Sequence, residues 1–307
     1  MAHASRREFL TGISALVTTT LVAGAGEPIF DLHQHTNYIG RSDEQLLAHQ
    51  RRFQIQTTVL LPGEGWMLRI VGGNRSCADF ESRQPGFVRF TCSDPAESRA
   101  IDVLRGNIRR GAVGIGEMKF HVAVDSPEMH RVYKLAEEMR VPVLLHFEHE
   151  MYNTGIERFE KILKAYPRVQ FIGHAQTWWG NISADLNPLV MYPPGRVKAG
   201  GLTDRLLSDY PNLYGDLSAG SGLNSLTRDP EFATGFLQRH SRRLIWGSDC
   251  NCHDGRGASV TSGSCLAEKS LAALAELVPD RAVRQRILFE NGAELLKSRG
   301  QGSGVRG

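Results

Sequence analysis

The chain has 307 residues, 41% of them hydrophobic and 22% charged, with a formal net charge of +3. That balance suits a globular protein of one large domain or two small ones. It is too weakly basic, and too poor in basic runs interleaved with aromatics, to predict nucleic-acid binding. No apolar stretch approaches the roughly 20 residues of a spanning helix, which argues against a membrane-embedded enzyme.

The first 25 residues read as an export signal. "SRREFL" supplies a basic start, "TGISALVTTTLVAGAG" a short apolar segment, and Ala23 and Ala25 a small-residue cleavage site. Arg6 and Arg7, followed by Phe9 and Leu10, are similar to a twin-arginine signal, which places the protein in the periplasm or outside the cell. If the segment is not a signal, the location is cytoplasmic. Five cysteines cannot all pair internally, and no C-x-x-C repeat marks a structural zinc site. Cys250 and Cys252 form a C-x-C that reads as packing or loop thiols, and no disulfide is assumed.

From residue 27 to 298, apolar strand-like runs alternate with helical patterns. "PIFDLH" is the first strand. The helix "SDEQLLAHQRRF" follows, with Ser42 or Asp43 as N-cap. "TTVLLP" is the second strand, and a glycine-containing excursion through "GGNRSC" leads to the third, "FVRFTC". The helix "PAESRAIDVLRGNIRRG" ends at Gly111, a C-terminal cap. "AVGIGEMKF" is the fourth strand, and "PEMHRVYKLAEEMR" is helical with Pro127 in its first turn. "VPVLLHF", the helix "GIERFEKILKAYP" and "RVQFIGH" complete the sixth strand. An irregular stretch carrying "TWWGN" and "YPPGRVKAGG" precedes the helix "LTDRLLSDYP". "NLYGDLS", the helix "PEFATGFLQRHS" and "RLIWGSD" reach the eighth strand, and two helical patterns close the chain. Residues 299–307 read as a disordered Gly/Ser/Arg tail.

Eight such units predict an α/β fold, a (β/α)8 TIM barrel with extra C-terminal helices. No G-x-G-x-x-G follows the first strand, so a dinucleotide fold has no support. In a parallel barrel, chemistry sits at the C-terminal strand ends. His33, His35, Glu117, Lys119, His146, His174, Asp216 and Asp249 all fall there, each after an apolar run. Several histidines and a carboxylate with an open position suit a catalytic divalent ion, Zn²⁺ or a similar metal. Strand alternation puts His33 and His35 on one face, with Asp31 on the same side deeper in the barrel.

The set "FDLHQH", "VPVLLHF", "FIGH", "RLIWGSD" and "ILFENGAELL" resembles the amidohydrolase superfamily, in its amidohydrolase-2 branch, from about Ile29 to Lys297. Gly292 stands where alanine is common in the branch, and Asn291 reads as a structural helix-start residue. The resemblance implies His33, His35, His146 and Asp249 as metal ligands, with His174 a ligand or an acid/base group. "GIGEMKF" is similar to the fourth strand of TatD-like deoxyribonucleases, which implies Glu117 as a bridge between two ions. The other reading of Glu117 is an ion pair with Lys119 that supports the ligands. Lys119 bridges only if carboxylated, and otherwise neutralises an acidic substrate.

The implied reaction is hydrolysis of an ester, lactone or amide of a small molecule, with Asp249 as general base and His174 at the developing oxyanion. The alternative is nonoxidative decarboxylation of a small carboxylic acid. A catalytically inert metal- or sugar-binding barrel is the non-enzyme alternative. Trp178 and Trp179 either stack on a substrate ring or pack their loop, and His149 belongs to a second specificity loop. The expected partners are a small-molecule substrate, no nucleic acid and, after export, no membrane. A homo-oligomer is compatible with the sequence.

Overall fold

The computed structural model describes residues 26–258 and 263–297. The export-signal segment and the C-terminal tail lie outside the described residues. Among the described residues there are eight strands: β1 (Ile29–Gln34), β2 (Ile55–Leu60), β3 (Phe87–Arg89), β4 (Ile115–Met118), β5 (Val143–His146), β6 (Phe171–His174), β7 (Leu213–Asp216) and β8 (Leu244–Ile245). All neighbouring pairs are parallel, in the orders β1-β2-β3 and β4-β5-β6-β7-β8. Backbone hydrogen bonds close both seams. Gly116 N donates to Thr91 O at 2.8 Å, and Leu32 N donates to Trp246 O at 3.2 Å. The result is the (β/α)8 barrel expected from the sequence.

The helices form the outer layer. They are α1 (Asp43–Arg52), α2 (Asn74–Arg83), α3 (Ala100–Arg109), α4 (Pro127–Met139), α5 (Phe159–Ala165) and α6 (Gln176–Gly180), then α7 (Leu202–Asp209), α8 (Ala219–Thr227), α9 (Pro230–Arg239), α10 (Leu266–Leu277), α11 (Arg281–Gln285) and α12 (Asn291–Lys297). A capping box starts α1: Ser42 Oγ accepts from Gln45 N, and Gln45 Oε1 accepts from Ser42 N. Pro127 occupies the first turn of α4 behind the Ser126 cap. Asn291 Nδ2 donates to the carbonyls of Ser241 and Leu244, the structural role expected of it. Three helices depart from the sequence reading. α2 replaces the predicted excursion, α6 forms in a segment read as irregular, and α8 forms between β7 and α9, where no element was assigned. Among the described residues, no helix is long and apolar enough to cross a membrane.

Two cores result. Phe30, Leu32, Val59, Leu61, Phe90, Leu144, Ile172 and Ile245 pack together from six strands or the residues just past them, with Leu295 of α12 beside them. Residues of opposite parity, such as Val143, Leu145, Phe171 and Leu244, pack with the helices.

Register breaks in β1 and β4, the strands that carry His33 and Glu117. Asp31 pairs with Thr58 and Gln34 with Leu60, three steps against two. Ile115 pairs with Val143 and Met118 with Leu145, again three against two. An extra residue in each strand is a bulge, a device that re-aims a side chain. The β1 bulge corrects the simple alternation argument for Asp31. Its carboxylate meets Gln50 of α1 at 3.0 Å, on the helix side of the sheet.

Candidate active site

Six predicted residues meet at the C-terminal mouth of the barrel. His33 Nε2 lies 3.3 Å from His35 Nε2. Glu117 divides its two oxygens between two groups of imidazoles. Oε2 lies 3.8 Å from His33 Nε2 and 3.9 Å from His35 Nε2. Oε1 hydrogen-bonds His146 Nδ1 and lies 3.6 Å from His174 Nε2. Asp249 Oδ1 lies 3.5 Å from His35 Nε2 and 3.9 Å from His33 Nε2.

The far side of each imidazole is held. His33 Nδ1–H donates to Asp216 Oδ2 at 2.7 Å, and His35 Nδ1–H donates to Leu61 O at 2.7 Å. His174 Nδ1 is 3.1 Å from Asp216 Oδ2 and 3.2 Å from Ser218 Oγ. His146 is turned round, with Nδ1 at Glu117 and Nε2 3.2 Å from Glu148 Oε2. With acceptors at Nδ1, His33 and His35 turn their Nε2 atoms into the cluster.

Gln34, the middle residue of H-x-H, points away and ties the strand to the loop after β8. Its Nε2 donates to Ser248 Oγ at 2.8 Å and Cys250 O at 3.0 Å, while its Oε1 accepts from Arg41. Asp31 accepts from the amides of His33 and Ser248, so it supports the same strand end through the backbone.

Electrostatics knit the cluster together. Burial opposes a charge on His33, but Asp249, Asp216 and Glu117 outweigh it and push the imidazole up to about 10. Burial also opposes ionisation of Glu117, yet His146 and His33 hold it well below the usual carboxylate range. Asp249 is lowered against its own burial by His33 and His35. His174 is lowered, first by burial and then by the charge on His33.

The donor set fits a divalent cation. His33/His35/Glu117, Glu117/His146/His174 and His33/His174/Asp249 each bring their ligand atoms within 4.8 Å of one another. Asp249 Oδ1 is buried, aimed at the imidazoles and without a hydrogen-bond partner, and such an orphan acceptor is costly unless something occupies it.

A cavity of about 470 Å³ opens onto this cluster, with His35, Glu117, His146, His174 and Asp249 at its surface and His33 behind them. Lys119 lines it too. Its Nζ sits over the rings of Trp66 and Tyr152, 5.6 Å and 5.4 Å from their centroids, and it makes no ion pair with Glu117. The alternative of a Glu117–Lys119 ion pair is therefore corrected: His146 takes the carboxylate and the aromatic rings take the ammonium.

Trp178 and Trp179 do not reach the cavity. They are 0% and 2% exposed, Trp178 stacks on Phe147, and Trp179 Nε1–H donates to Asp216 O at 2.8 Å. Packing, the other sequence reading, is their role. His149 also lies outside the cavity, beside Glu150 at 3.7 Å. Asp216 was placed on the rim from sequence but given no role, and Tyr38 was not singled out. Asp216 carries the rear hydrogen bonds of two histidines, and Tyr38, in a short 3₁₀ turn after β1, lines the same cavity as Asp249.

Solved structures share the fold. An uncharacterised TIM-barrel protein from Bordetella bronchiseptica matches at 15% identity and TM-score 0.56, over 89% of this chain and 100% of that one. 2,6-Dihydroxybenzoate decarboxylase from Rhizobium matches at 13% identity and TM-score 0.53, over 88% and 99%. Dihydroorotase from Campylobacter jejuni matches at 16% identity and TM-score 0.51, over 88% and 82%. At such identities these likenesses establish architecture alone. No curated protein matches the chain in sequence. The family model for amidohydrolases matches residues 33–297, nearly all of the barrel and every residue of the histidine–carboxylate cluster, and the chain therefore belongs to the amidohydrolase family.

Proposed function

We propose that the protein is a metal-dependent hydrolase that cleaves a C–O or C–N bond of a small-molecule ester, lactone or amide. One observation carries the reading: Glu117 turns Oε2 to His33 and His35 and Oε1 to His146 and His174. A single carboxylate shared by two histidine pairs suits two divalent ions, Zn²⁺ by donor preference. His33, His35, Asp249 and Glu117 would hold one ion, and Glu117, His146 and His174 the other.

Bound there, such ions polarise a carbonyl and bring the pKa of water toward neutrality. The chain's own groups do the rest. Asp249, its Oδ1 free of hydrogen bonds, accepts the proton of the attacking water and delivers it to the leaving group. Tyr38 lines the cavity with that carboxylate. Asp216 holds His33 and His174 in place, and with a single ion His174 would instead stabilise the developing oxyanion. The twin-arginine-like leader supports an exported enzyme.

A second reading, nonoxidative decarboxylation of a small carboxylic acid, draws on Lys119. Its ammonium on the cavity wall suits a substrate carboxylate. Metal analysis of the wild type and of Glu117→Gln tests the site. One ion per chain fewer in Glu117→Gln than in wild type supports the bridge, whereas equal metal content in the two proteins overturns it. Carbon dioxide release against acid release from the same substrate panel separates the two reactions.

A further inference from the structure

A second cluster of metal-ligating side chains lies behind the wall of the cavity. His49 of α1, Cys250 just past β8 and Cys265 at the start of α10 converge there, 0%, 1% and 2% exposed. Cys250 Sγ lies 3.8 Å from Cys265 Sγ, and Cys265 Sγ lies 3.6 Å from His49 Nε2. All three donor atoms fall within 4.8 Å of one another.

These spacings match a coordination polyhedron. Bonds of about 2.3 Å to sulfur and about 2.05 Å to nitrogen give tetrahedral edges of about 3.8 Å between sulfurs and about 3.6 Å from sulfur to nitrogen. A disulfide requires about 2.05 Å between the sulfurs, so forming one would demand a large movement of buried side chains.

The tautomer of His49 is set by a chain of hydrogen bonds. Gln50 Nε2 donates to Asp31 Oδ2 at 3.0 Å, so Gln50 Oε1 is the acceptor for His49 Nδ1–H at 2.7 Å. Nε2 then carries its lone pair toward the sulfurs. Charge is also provided for. The buried Arg41 guanidinium donates, among the described residues, to neutral acceptors that include Cys250 O at 2.7 Å and Cys252 O at 3.2 Å. A cation at that depth needs an anion nearby: with Cu⁺ the two thiolates leave the cluster a net charge of −1, whereas with Zn²⁺ they leave it neutral and Asp31 is the remaining carboxylate acting on Arg41.

We propose that His49, Cys250 and Cys265 form a structural metal site for a thiophilic d¹⁰ cation, Zn²⁺ or Cu⁺, separate from the one at the barrel mouth. Each thiol releases its proton to solvent as the metal–sulfur bond forms. The ion ties α1, the residue after Asp249 and the head of α10 together. It thereby fixes the wall on which Asn251, Ser264 and Lys269 face the cavity. The inference does not depend on the reaction catalysed.

The test uses the full chain, stripped of metal under reducing conditions and titrated with Zn²⁺ in one arm, Cu⁺ in another and Co²⁺ as a spectroscopic stand-in. Wild type should bind one ion more per chain than Cys250→Ser or Cys265→Ser. Its Co²⁺ form should show a near-ultraviolet thiolate charge-transfer band that persists in Glu117→Gln. The arm with the higher affinity identifies the cation. Equal metal content in wild type and folded serine variants overturns the site. So does a missing charge-transfer band in wild type, which decides the matter even if the variants fail to fold. A Cys250–Cys265 cross-linked peptide in the protein as purified, two hydrogens lighter, also overturns it.

Discussion

Asp216 Oδ2 stands 2.7 Å from His33 Nδ1 and 3.1 Å from His174 Nδ1, so one buried carboxylate orients two imidazoles of the cluster. Burial would favour its neutral form, but His33 and His174 hold it ionised, below the usual carboxylate range. Asp216→Asn keeps the shape and removes the charge. Loss of such a rear partner is expected to weaken metal binding by roughly 10–100-fold. Chelator competition reads the affinity, and circular dichroism should show an intact fold. Unchanged metal affinity in a folded variant would remove Asp216 from the site.

Lys119 is expected to read substrate charge. It lines the cavity with its ammonium over the aromatic faces of Trp66 and Tyr152, and it makes no ion pair with a carboxylate among the described residues. Lys119→Met preserves the aliphatic stem and removes the ammonium. If an anionic substrate pairs there, KM should rise about tenfold or more, the equivalent of about 1.4 kcal/mol, with little change in Tm. Steady-state kinetics on matched anionic and neutral substrates decides it. Equal effects on both would show that Lys119 does not read substrate charge.

The polar strand ends were legible in the sequence because each follows an apolar run whose burial is certain. His33, His146, His174 and Asp249 could be placed on one rim from that pattern alone. Asp216 stood out by position but not by role, since its partner His33 is 183 residues away. The bulges in β1 and β4 left no local signal, and so Asp31 was assigned to the wrong face. The tryptophan pair read equally as a platform for a substrate ring or as packing of its loop. The space they fill exists because Gly173 and Gly215 lack side chains: a Cβ on Gly173 would lie 2.4 Å from the Trp178 ring, and one on Gly215 would lie 3.1 Å from Trp179. α8 was invisible because "AGSGLNSLT" has low helix propensity, and its packing against α10 and α9 stabilises it instead.

Asp204 gives a pH dependence away from the cluster. Its Oδ1 lies 2.5 Å from His240 Nε2 and its Oδ2 2.9 Å from Arg239 Nη2. Partial burial opposes the charge, but the His240 bond and Arg239 overcome it and lower the carboxyl from 3.8. A depressed folded-state value stabilises above the unfolded one, and that contribution is lost as pH falls through the folded one. Asp204→Asn should therefore cost about 1 kcal/mol at neutral pH, discounted for partial exposure. The deficit should shrink below about pH 4. Urea melts at several pH values measure it, and a deficit independent of pH would refute the electrostatic account.

Gly292 occupies a position where the resemblance led us to expect alanine. A Cβ there would lie 2.4 Å from Phe30 Cδ1, and Phe30 is 1% exposed in the barrel interior. Two effects compete in Gly292→Ala. Alanine gains about 1 kcal/mol in a helix over glycine, while overpacking a fixed core ring costs about 1–3 kcal/mol. The ring is buried among Leu32, Val59 and Leu295 and has little room to retreat, so the clash should win. A net loss of about 1–2 kcal/mol is expected in urea melts. Phe30→Leu alone should destabilise, yet it should cost less when Gly292→Ala is already present, because the smaller side chain makes room for the methyl group. A favourable coupling of about 1 kcal/mol in the double-mutant cycle would show that Phe30 and Gly292 share one packing site. Strict additivity would mean that the ring is not what keeps alanine out.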